Sequence, residues 1–186
     1  MAVLAGQIRL ARFDEDAALV RTLMREYAAF LNASVGGEHI CVETLEQELA
    51  GLPGEYAEPA GTVILAFVEG SGPNASTPNP AGCVALKPLH LEDPARAHER
   101  ACEMKRLWVR PEFQRLRIGR QLADSVLQAA RERGYSAMYL DTMPASMPAA
   151  YALYCDLGFT SVARYHRNPV LREPESAEVA FLRRDL

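Results

Sequence analysis

The stretch EMKRLWVRPEFQRLRIGRQL, from Glu103 to Leu122, decides the fold of this 186-residue chain. Its first part alternates polar and apolar residues, which predicts a strand that Pro111 ends. Its second part carries apolar residues at helical spacing, with Gly119 in the first turn of the predicted helix. A helix N-terminus leaves backbone N–H groups unpaired and attracts anions. Because glycine lets a ligand come close to the backbone, this strand, turn and helix predict a site for a diphosphate.

Basic side chains are concentrated in the same stretch, where the only acid after the predicted strand is Glu112. The whole chain has a net charge of −4, so a local basic cluster favours one specific anionic ligand over a diffuse polyanion surface. The alternative is a solvated helix start whose arginines pair with nearby carboxylates. The six basic residues are Lys105, Arg106, Arg110, Arg115, Arg117 and Arg120.

Hydrophobic periodicity on both sides of this stretch predicts strands and helices in alternation. The elements predicted before it are a strand over Gln7–Phe13, a helix with Asp14 as N-cap, a polar break over Asn32–His39, a short helix over Glu43–Leu52, and strands beginning at Thr62 and Gly82. Those predicted from the turn onward are a helix over Gln114–Arg133, a strand over Ala137–Thr142, a helix over Ser146–Leu157 capped by Ser146, and strands over Phe159–Tyr165 and Val179–Leu186. We expect one α/β (α+β) domain over residues 1–186, with a mixed central sheet of about seven strands and helices on both faces.

Composition argues against several classes of protein. The acidic net charge opposes a general nucleic-acid binder, and no apolar run reaches the length of a membrane span. The N-terminal residues do not form a signal peptide. The cysteines show no C-x-x-C spacing and no adjacent histidine, which opposes both a zinc site and a disulfide framework. We expect a cytoplasmic protein that binds no metal, nucleic acid or membrane, with its cysteines as reduced thiols of the core. They are Cys41, Cys83, Cys102 and Cys155.

Two motifs in this half of the chain match a known pattern. QRLRIG (Gln114–Gly119) follows VRPE (Val109–Glu112), and LYCDLGF (Leu153–Phe159) lies further on. With both motifs at this spacing, and with this order of elements, the chain resembles the GNAT family of N-acetyltransferases. The family's acetyl-CoA signature is Gln or Arg, two residues, Gly, one residue, then Gly or Ala. Arg117 stands where the family usually has the first Gly.

The resemblance implies where acetyl-CoA binds. Backbone groups of Leu107, Trp108 and Val109, at the end of the fourth strand, would hydrogen-bond the pantetheine arm. The tightest backbone approach to the phosphates requires the Arg117 side chain to point outward, where it would add positive charge. The family often has an Asn contact to the cofactor at the position of Met147, so that contact would be lost or made by backbone. The N–H groups that would hold the pyrophosphate belong to Gln114, Arg115, Leu116, Arg117, Ile118, Gly119 and Arg120.

The catalytic roles follow from the same resemblance and from the chemistry of the transfer. An attacking amine must lose a proton, and the departing thiolate must gain one. Tyr154 would supply the second proton, since a phenol with a pKa of about 10 can protonate a thiolate with a pKa of about 8.5. Glu103 is the candidate base, and strand alternation predicts that it shares a face with Lys105, Leu107 and Val109. The alternatives are a Glu103 that only pairs with a basic neighbour and a Tyr154 that only packs in the core.

The expected function is N-acetylation of a small primary amine by direct attack in a ternary complex. Acetylation of a protein N-terminus or lysine is a second hypothesis, and a non-catalytic acetyl-CoA sensor is a third. Asp141 and Thr142 would orient substrate or only cap a loop. Tyr27 and the segments Asn32–Cys41 and Tyr165–Pro169 would reach the acceptor pocket, although a plain turn also explains the last segment. An exposed edge strand could support a homodimer.

Overall fold

The computed structural model describes residues 6–35, 42–69, 78–165 and 179–186. Within them the chain runs strand, two helices, three strands, helix, strand, helix and two strands, which is the predicted order. The elements are β1 (Gly6–Leu10), α1 (Phe13–Val35), α2 (Val42–Ala50), β2 (Thr62–Val68), β3 (Asn79–Pro88), β4 (Ala101–Val109), α3 (Ile118–Glu132), β5 (Ala137–Thr142), α4 (Pro148–Asp156), β6 (Thr160–Ser161) and β7 (Ala180–Asp185).

The strands form one mixed sheet of seven, in the order β1-β2-β3-β4-β5-β7-β6. Neighbouring strands are antiparallel except for β4 and β5, which are parallel. A parallel pair needs a crossover connection, and α3 provides it. The predicted fold class is confirmed.

Apolar cores lie on both faces of the sheet. On one face, which we call the α3 face, Leu122 and Val126 of α3 pack in one cluster with Tyr154 of α4. On the other, the α1 face, Leu23 of α1 and Leu49 of α2 belong to a second cluster. The expectation of helices on both faces is therefore confirmed. Among the helices in the described ranges, none has the length and apolar character needed to cross a membrane.

The first helix differs from its prediction at both ends. α1 begins one residue before Asp14, which therefore lies in the first turn and not at the N-cap. The Asp16 carboxylate instead accepts the N–H of Arg12 at 2.8 Å, which satisfies a donor at the helix start. At its C-terminus α1 continues into the predicted break as far as Val35, and the Ser34 hydroxyl donates a hydrogen bond to the Phe30 carbonyl at 2.8 Å. Residues 36–39 of that break lie outside the described ranges.

The two helices of the second half begin later than predicted. The segment from Gln114 to Arg117 is not helical, because Arg115 and Arg117 adopt left-handed backbone conformations with φ of 66° and 61°. α4 has Met147 as its N-cap, so the predicted cap Ser146 lies one residue too early. The proline that follows Met147 occupies the first helical position, where its missing N–H costs nothing.

The sixth strand is much shorter than predicted. β6 covers two residues, and Val162 makes one more hydrogen bond to the Phe181 carbonyl at 2.9 Å. After Val162 the chain leaves the edge of the sheet, and the Tyr165 hydroxyl donates a hydrogen bond to the Glu103 carboxylate of β4. The edge strand therefore ends before Tyr165.

The cysteines follow the prediction in part. Cys83 and Cys102 are buried and unpaired, as expected of reduced core thiols. Cys155 is also unpaired but is exposed on α4, so its prediction as a core residue is wrong. It lies on the side of α4 away from the sheet, whereas its neighbour Tyr154 faces inward. Cys41 lies outside the described residues.

Candidate active site

A gap opens in the middle of the sheet between β4 and β5. Their parallel pairing ends where Glu103 lies opposite Tyr139. Beyond that pair, β4 remains bound to β3 as far as Val109, and β5 remains bound to β7 as far as Thr142. Because each strand follows its other neighbour, the C-terminal halves of the two strands separate.

A β-bulge lies in the part of β4 that borders the gap. Lys105 and Trp108 each have a partner on β3, but Arg106 and Leu107 together lie opposite one residue, Val84. Arg106 has a left-handed backbone with φ of 57°. An extra residue of this kind bends a strand and redirects the side chains that follow.

The bulge reverses the direction of the later side chains of β4. Lys105 lies opposite Ala85, which belongs to the α1-face core, and Glu103 lies two residues earlier on the same face. Leu107 and Val109 instead pack against the core of the α3 face. The prediction that these four β4 residues share one face is therefore wrong, because simple alternation omits the extra residue.

The gap holds a cavity that is lined from both faces of the sheet. Tyr27 and Leu31 reach it from α1, and Ala150 and Tyr154 reach it from α4. Since α1 and α4 cover opposite faces, two molecules can meet in this cavity from opposite sides. This geometry suits a direct transfer between two bound substrates.

Tyr154, the predicted proton donor, lies in the cavity wall. Its side chain is 7% exposed, and its ring packs edge-on against Phe159 with 6.0 Å between centroids. Its hydroxyl makes no hydrogen bond with any residue in the described ranges. Burial, together with the nearby Tyr27 and Asp141, raises the pKa of Tyr154 well above 10.0. The phenol therefore stays protonated at neutral pH and can donate.

A second hydroxyl in the cavity wall has no partner. The side chain of Thr142 is 3% exposed, and its Oγ1 makes no hydrogen bond within the part of the chain that the structure describes. A buried polar group without a partner costs free energy unless a ligand or water satisfies it. Thr142 therefore fits a cavity that receives a polar ligand.

Glu103 lies behind this cavity and contributes no lining atoms to it. Its side chain is 2% exposed, and its Oε1 accepts a hydrogen bond from the Tyr165 hydroxyl at 2.9 Å. The Nζ of Lys105 lies 3.4 Å from the same oxygen and 3.0 Å from Oδ1 of Asp141. Lys105 and Asp141 do line the cavity, so they connect Glu103 to it.

The two carboxylates of this cluster keep Lys105 charged. Burial alone would lower the pKa of Lys105, but the charges of Asp141 and Glu103 outweigh it and the net pKa is raised. Burial and the adjacent Glu103 raise the pKa of Tyr165, so this phenol is a hydrogen-bond donor. Lys105 is therefore a fixed cation between two carboxylates, with its charge already compensated.

The start of α3 offers bare backbone N–H groups, as the sequence predicts. Arg117 is the N-cap, with φ of 61° and ψ of 12°, and no side chain caps the helix. The N–H groups from Arg115 to Arg120 have no hydrogen-bond partner among the described residues, whereas the Gln121 N–H is bound to the Arg117 carbonyl. Arg117 thus adopts the left-handed conformation that glycine favours. The left-handed residues turn the chain directly into a helix N-terminus that can bind an anion.

The six basic residues differ in how far carboxylates neutralise their charge. Lys105, Arg106 and Arg110 are neutralised by carboxylates inside the fold, with Arg106 at 2.6 Å from Glu48 and Arg110 at 2.7 Å from Glu26. Arg120 makes a weaker exposed pair with Asp124 at 3.4 Å. Within the described ranges Arg115 and Arg117 have no ion pair. The alternative of paired arginines is therefore right for part of the cluster, and the charge left for an anion lies at the α3 start.

The residues present fit acetyl-CoA. The unpaired N–H groups before Gln121 suit a pyrophosphate, and the unpartnered Thr142 hydroxyl lies in the gap where a thioester arm would run. A Cβ built at Gly119 would meet the side chains of Val109 and Leu153 at 3.7 and 4.0 Å, which is ordinary van der Waals contact. Within residues 6–35, 42–69, 78–165 and 179–186, no cluster of His, Cys, Asp and Glu could hold a metal ion.

Comparison with known proteins identifies the fold. The pattern of the acetyltransferase (GNAT) family matches residues 39–159. An uncharacterised N-acetyltransferase of Schizosaccharomyces pombe is 30% identical over 163 residues, which is 88% of each chain. A GNAT-family acetyltransferase from Staphylococcus aureus has a TM-score of 0.66 at 16% identity, covering 97% of this chain and 99% of that one. The PaiA N-acetyltransferase from Thermoplasma acidophilum, solved in complex with coenzyme A, has a TM-score of 0.66 at 15% identity, covering 98% and 99%. The chain therefore belongs to the GNAT family of acetyltransferases and is an acetyl-CoA-dependent acyltransferase.

Proposed function

We propose that this chain transfers the acetyl group of acetyl-CoA to a small primary amine, by direct attack while both substrates are bound. The observation that carries the proposal is the cavity between β4 and β5, which is lined by residues from both faces of the sheet, Tyr154 among them. Acetyl-CoA would enter from the α3 face, and the amine from the α1 face. No covalent enzyme intermediate is needed when both can meet in one cavity.

The backbone provides most of the proposed cofactor site. Leu107, Trp108 and Val109 would contact the pantetheine arm through their peptide groups at the edge of β4 that the gap exposes. The Val109 carbonyl already accepts a hydrogen bond from the Gln114 side chain at 3.2 Å, which ties β4 to the loop before α3. The N–H groups from Gln114 to Arg120 would hold the pyrophosphate, with the Arg115 and Arg117 side chains supplying charge.

Tyr154 is the proposed acid and Glu103 the proposed base. The amine nitrogen forms a bond to the acetyl carbon while the carbon–sulfur bond breaks, and the Tyr154 hydroxyl gives its proton to the sulfur. A protonated amine loses two protons in the overall reaction: one restores the phenol, and the other is released to solvent. Glu103 would act indirectly, since Lys105 and Asp141 lie between its carboxylate and the cavity.

Steady-state kinetics test this proposal. A panel of primary amines is offered with acetyl-CoA, and the free thiol of coenzyme A is measured as it forms. We expect thiol release that depends on the amine, and reciprocal initial-rate plots that intersect. Parallel plots would contradict direct attack and would point to a covalent acetyl-enzyme. Binding of acetyl-CoA without turnover of any amine would instead favour a sensor.

A further inference from the structure

One buried hydroxyl at the end of β5 has a position that suits acetyl transfer. We propose, on the basis of the function proposed above, that the Thr142 hydroxyl donates a hydrogen bond to the thioester carbonyl oxygen of acetyl-CoA. Thr142 is then a further catalytic residue on the cofactor side of the cavity, beside Tyr154 as the acid that protonates the sulfur. It moves no proton itself, and it acts by binding an oxygen that gains charge during the reaction.

The direction of the Thr142 side chain follows from its neighbours on two strands. Side chains alternate between the two faces along a strand, and Met138 and Leu140, at the preceding alternate positions of β5, belong to the core of the α3 face. Ala180 of β7 lies directly opposite Thr142 and packs against the same core. Thr142 therefore faces α3, the side from which acetyl-CoA enters in the proposed function.

Thr142 and Tyr154 line one cavity from the same side of the sheet, since Tyr154 also belongs to the α3-face core. Across the gap, Leu107 of β4 lines the cavity and packs against that core as well. In a thioester the sulfur and the carbonyl oxygen are bonded to the same carbon atom. A thioester whose sulfur reaches the Tyr154 hydroxyl therefore has its carbonyl in the part of the cavity that Thr142 lines.

The Thr142 hydroxyl differs from the buried charged groups of the described chain in having no partner. Asp16, Glu103 and Arg106 each form an ion pair with a residue of opposite charge. The Thr142 side chain is equally buried, but its Oγ1 makes no hydrogen bond with any of the residues described. A hydroxyl in this state costs free energy that a methyl group of the same shape would not. A bound ligand that accepts its hydrogen bond offsets that cost.

The thioester carbonyl is the acceptor that such a donor stabilises most. Sulfur accepts hydrogen bonds only weakly, whereas the carbonyl oxygen becomes negative when the amine adds to the acetyl carbon. A donor held in place before the reaction, and shielded from water, stabilises that charge without reorganisation. When the carbon–sulfur bond breaks, the negative charge returns to the carbonyl double bond, and Thr142 keeps its proton throughout.

A matched pair of ligands tests which atom Thr142 binds. Acetyl-CoA and its thioether analogue S-ethyl-CoA differ only in the carbonyl oxygen, which two hydrogen atoms replace in the analogue. Thr142→Val replaces the hydroxyl with a methyl group of similar size. In calorimetry we expect this variant to lose about fivefold in affinity for acetyl-CoA, the size expected for one neutral hydrogen bond, and to bind S-ethyl-CoA as the wild type does. Equal losses for the two ligands, or no loss for either, would overturn the inference.

Turnover and stability distinguish a catalytic hydroxyl from a structural one. With the amine that gives the fastest thiol release, Thr142→Val should lower kcat at least about tenfold, since one oxyanion donor contributes up to about 10²–10³-fold. Thr142→Ser keeps the hydroxyl and should retain most of the wild-type kcat. Without ligand, the urea midpoint of Thr142→Val should equal or exceed that of the wild type, because the hydroxyl has no partner to lose. A lower midpoint, or a serine variant as slow as the valine variant, would overturn the inference.

The two proposals fail in different ways. A wild-type protein that binds neither acetyl-CoA nor S-ethyl-CoA contradicts the proposed function itself. A wild-type protein that binds acetyl-CoA and releases thiol, together with a Thr142→Val variant that does both equally well, contradicts only the role of Thr142.

Discussion

Replacing Tyr154 with phenylalanine removes one hydroxyl from the cavity and leaves the aromatic packing in place. The ring is held in the core beside Phe159, and the hydroxyl has no hydrogen-bond partner among the described residues. The free energy of unfolding should therefore change by less than about 1 kcal/mol, because no intramolecular hydrogen bond is lost. Affinity for acetyl-CoA should also stay near that of the wild type.

The rate of acetyl transfer should fall sharply in the same variant. Burial raises the pKa of the Tyr154 phenol, so the group is protonated at neutral pH and available as an acid. Loss of a positioned proton donor lowers kcat by about 100-fold, the lower part of the known range. That factor corresponds to about 2.7 kcal/mol of activation free energy.

A single-turnover assay of thiol release, with calorimetry on the same samples, separates chemistry from binding. Tyr151→Phe is the matched control, since Tyr151 lies on the same helix, is half-buried, and does not line the cavity. The control should keep wild-type kcat. A folded Tyr154→Phe protein with normal affinity and unchanged kcat would remove this residue from the mechanism.

Four further variants, at three positions, address the base, the cofactor site and the stability of the fold. Glu103→Gln should lower kcat near neutral pH and recover as pH rises, because more of the amine is already deprotonated; a flat ratio to wild type across the pH profile would contradict this. Arg117→Ala removes the positive charge and should lose about 0.3–1 kcal/mol of acetyl-CoA binding free energy. Arg117→Gly should raise the unfolding free energy by up to about 1 kcal/mol, because glycine adopts the left-handed backbone without strain. Unchanged acetyl-CoA affinity in both variants would mean that the Arg117 side chain is only solvated. The Arg9 guanidinium lowers the pKa of Asp16 from 3.8 to about 2, so this pair stabilises the fold above pH 3.8 and loses its effect as pH falls through about 2. Asp16→Asn should cost about 2 kcal/mol in urea titrations at pH 7, and a deficit that persists at pH 2 would contradict the assignment.

The order of elements could be predicted from the sequence because hydrophobic periodicity is a local property. The strand that ends at Pro111 and the bare helix start near Gly119 appear in the structure where the motif indicates them. The helix begins at Ile118 and not at the predicted Gln114, because hydrophobic periodicity does not reveal the left-handed backbone of Arg115 and Arg117.

The acceptor side of the cavity could be predicted only in part. Tyr27 was named from the sequence as reaching the acceptor pocket, whereas Leu31, which lies one helical turn later and also lines the cavity, was not. The bulge at Arg106 could not be predicted either, although it determines which β4 side chains lie on the same face of the sheet as Glu103. No local pattern marks a bulge at an arginine, because glycine is the usual residue there. Val179 lies 36 residues after Met143, and only the folded sheet brings them together.

Titration of the protein with acetyl-CoA in a calorimeter is the most direct test of the claim that the chain binds this cofactor at the start of α3. We expect saturable binding that weakens as salt rises, since Arg115 and Arg117 supply charge at the α3 start. Gly119→Ala is a suitable companion variant, because its added methyl would meet Val109 and Leu153 at ordinary contact distances and should not disturb the fold. Its affinity should nevertheless fall, as the methyl group would occupy the space that the pyrophosphate approaches. Absence of wild-type binding at millimolar acetyl-CoA would contradict the account.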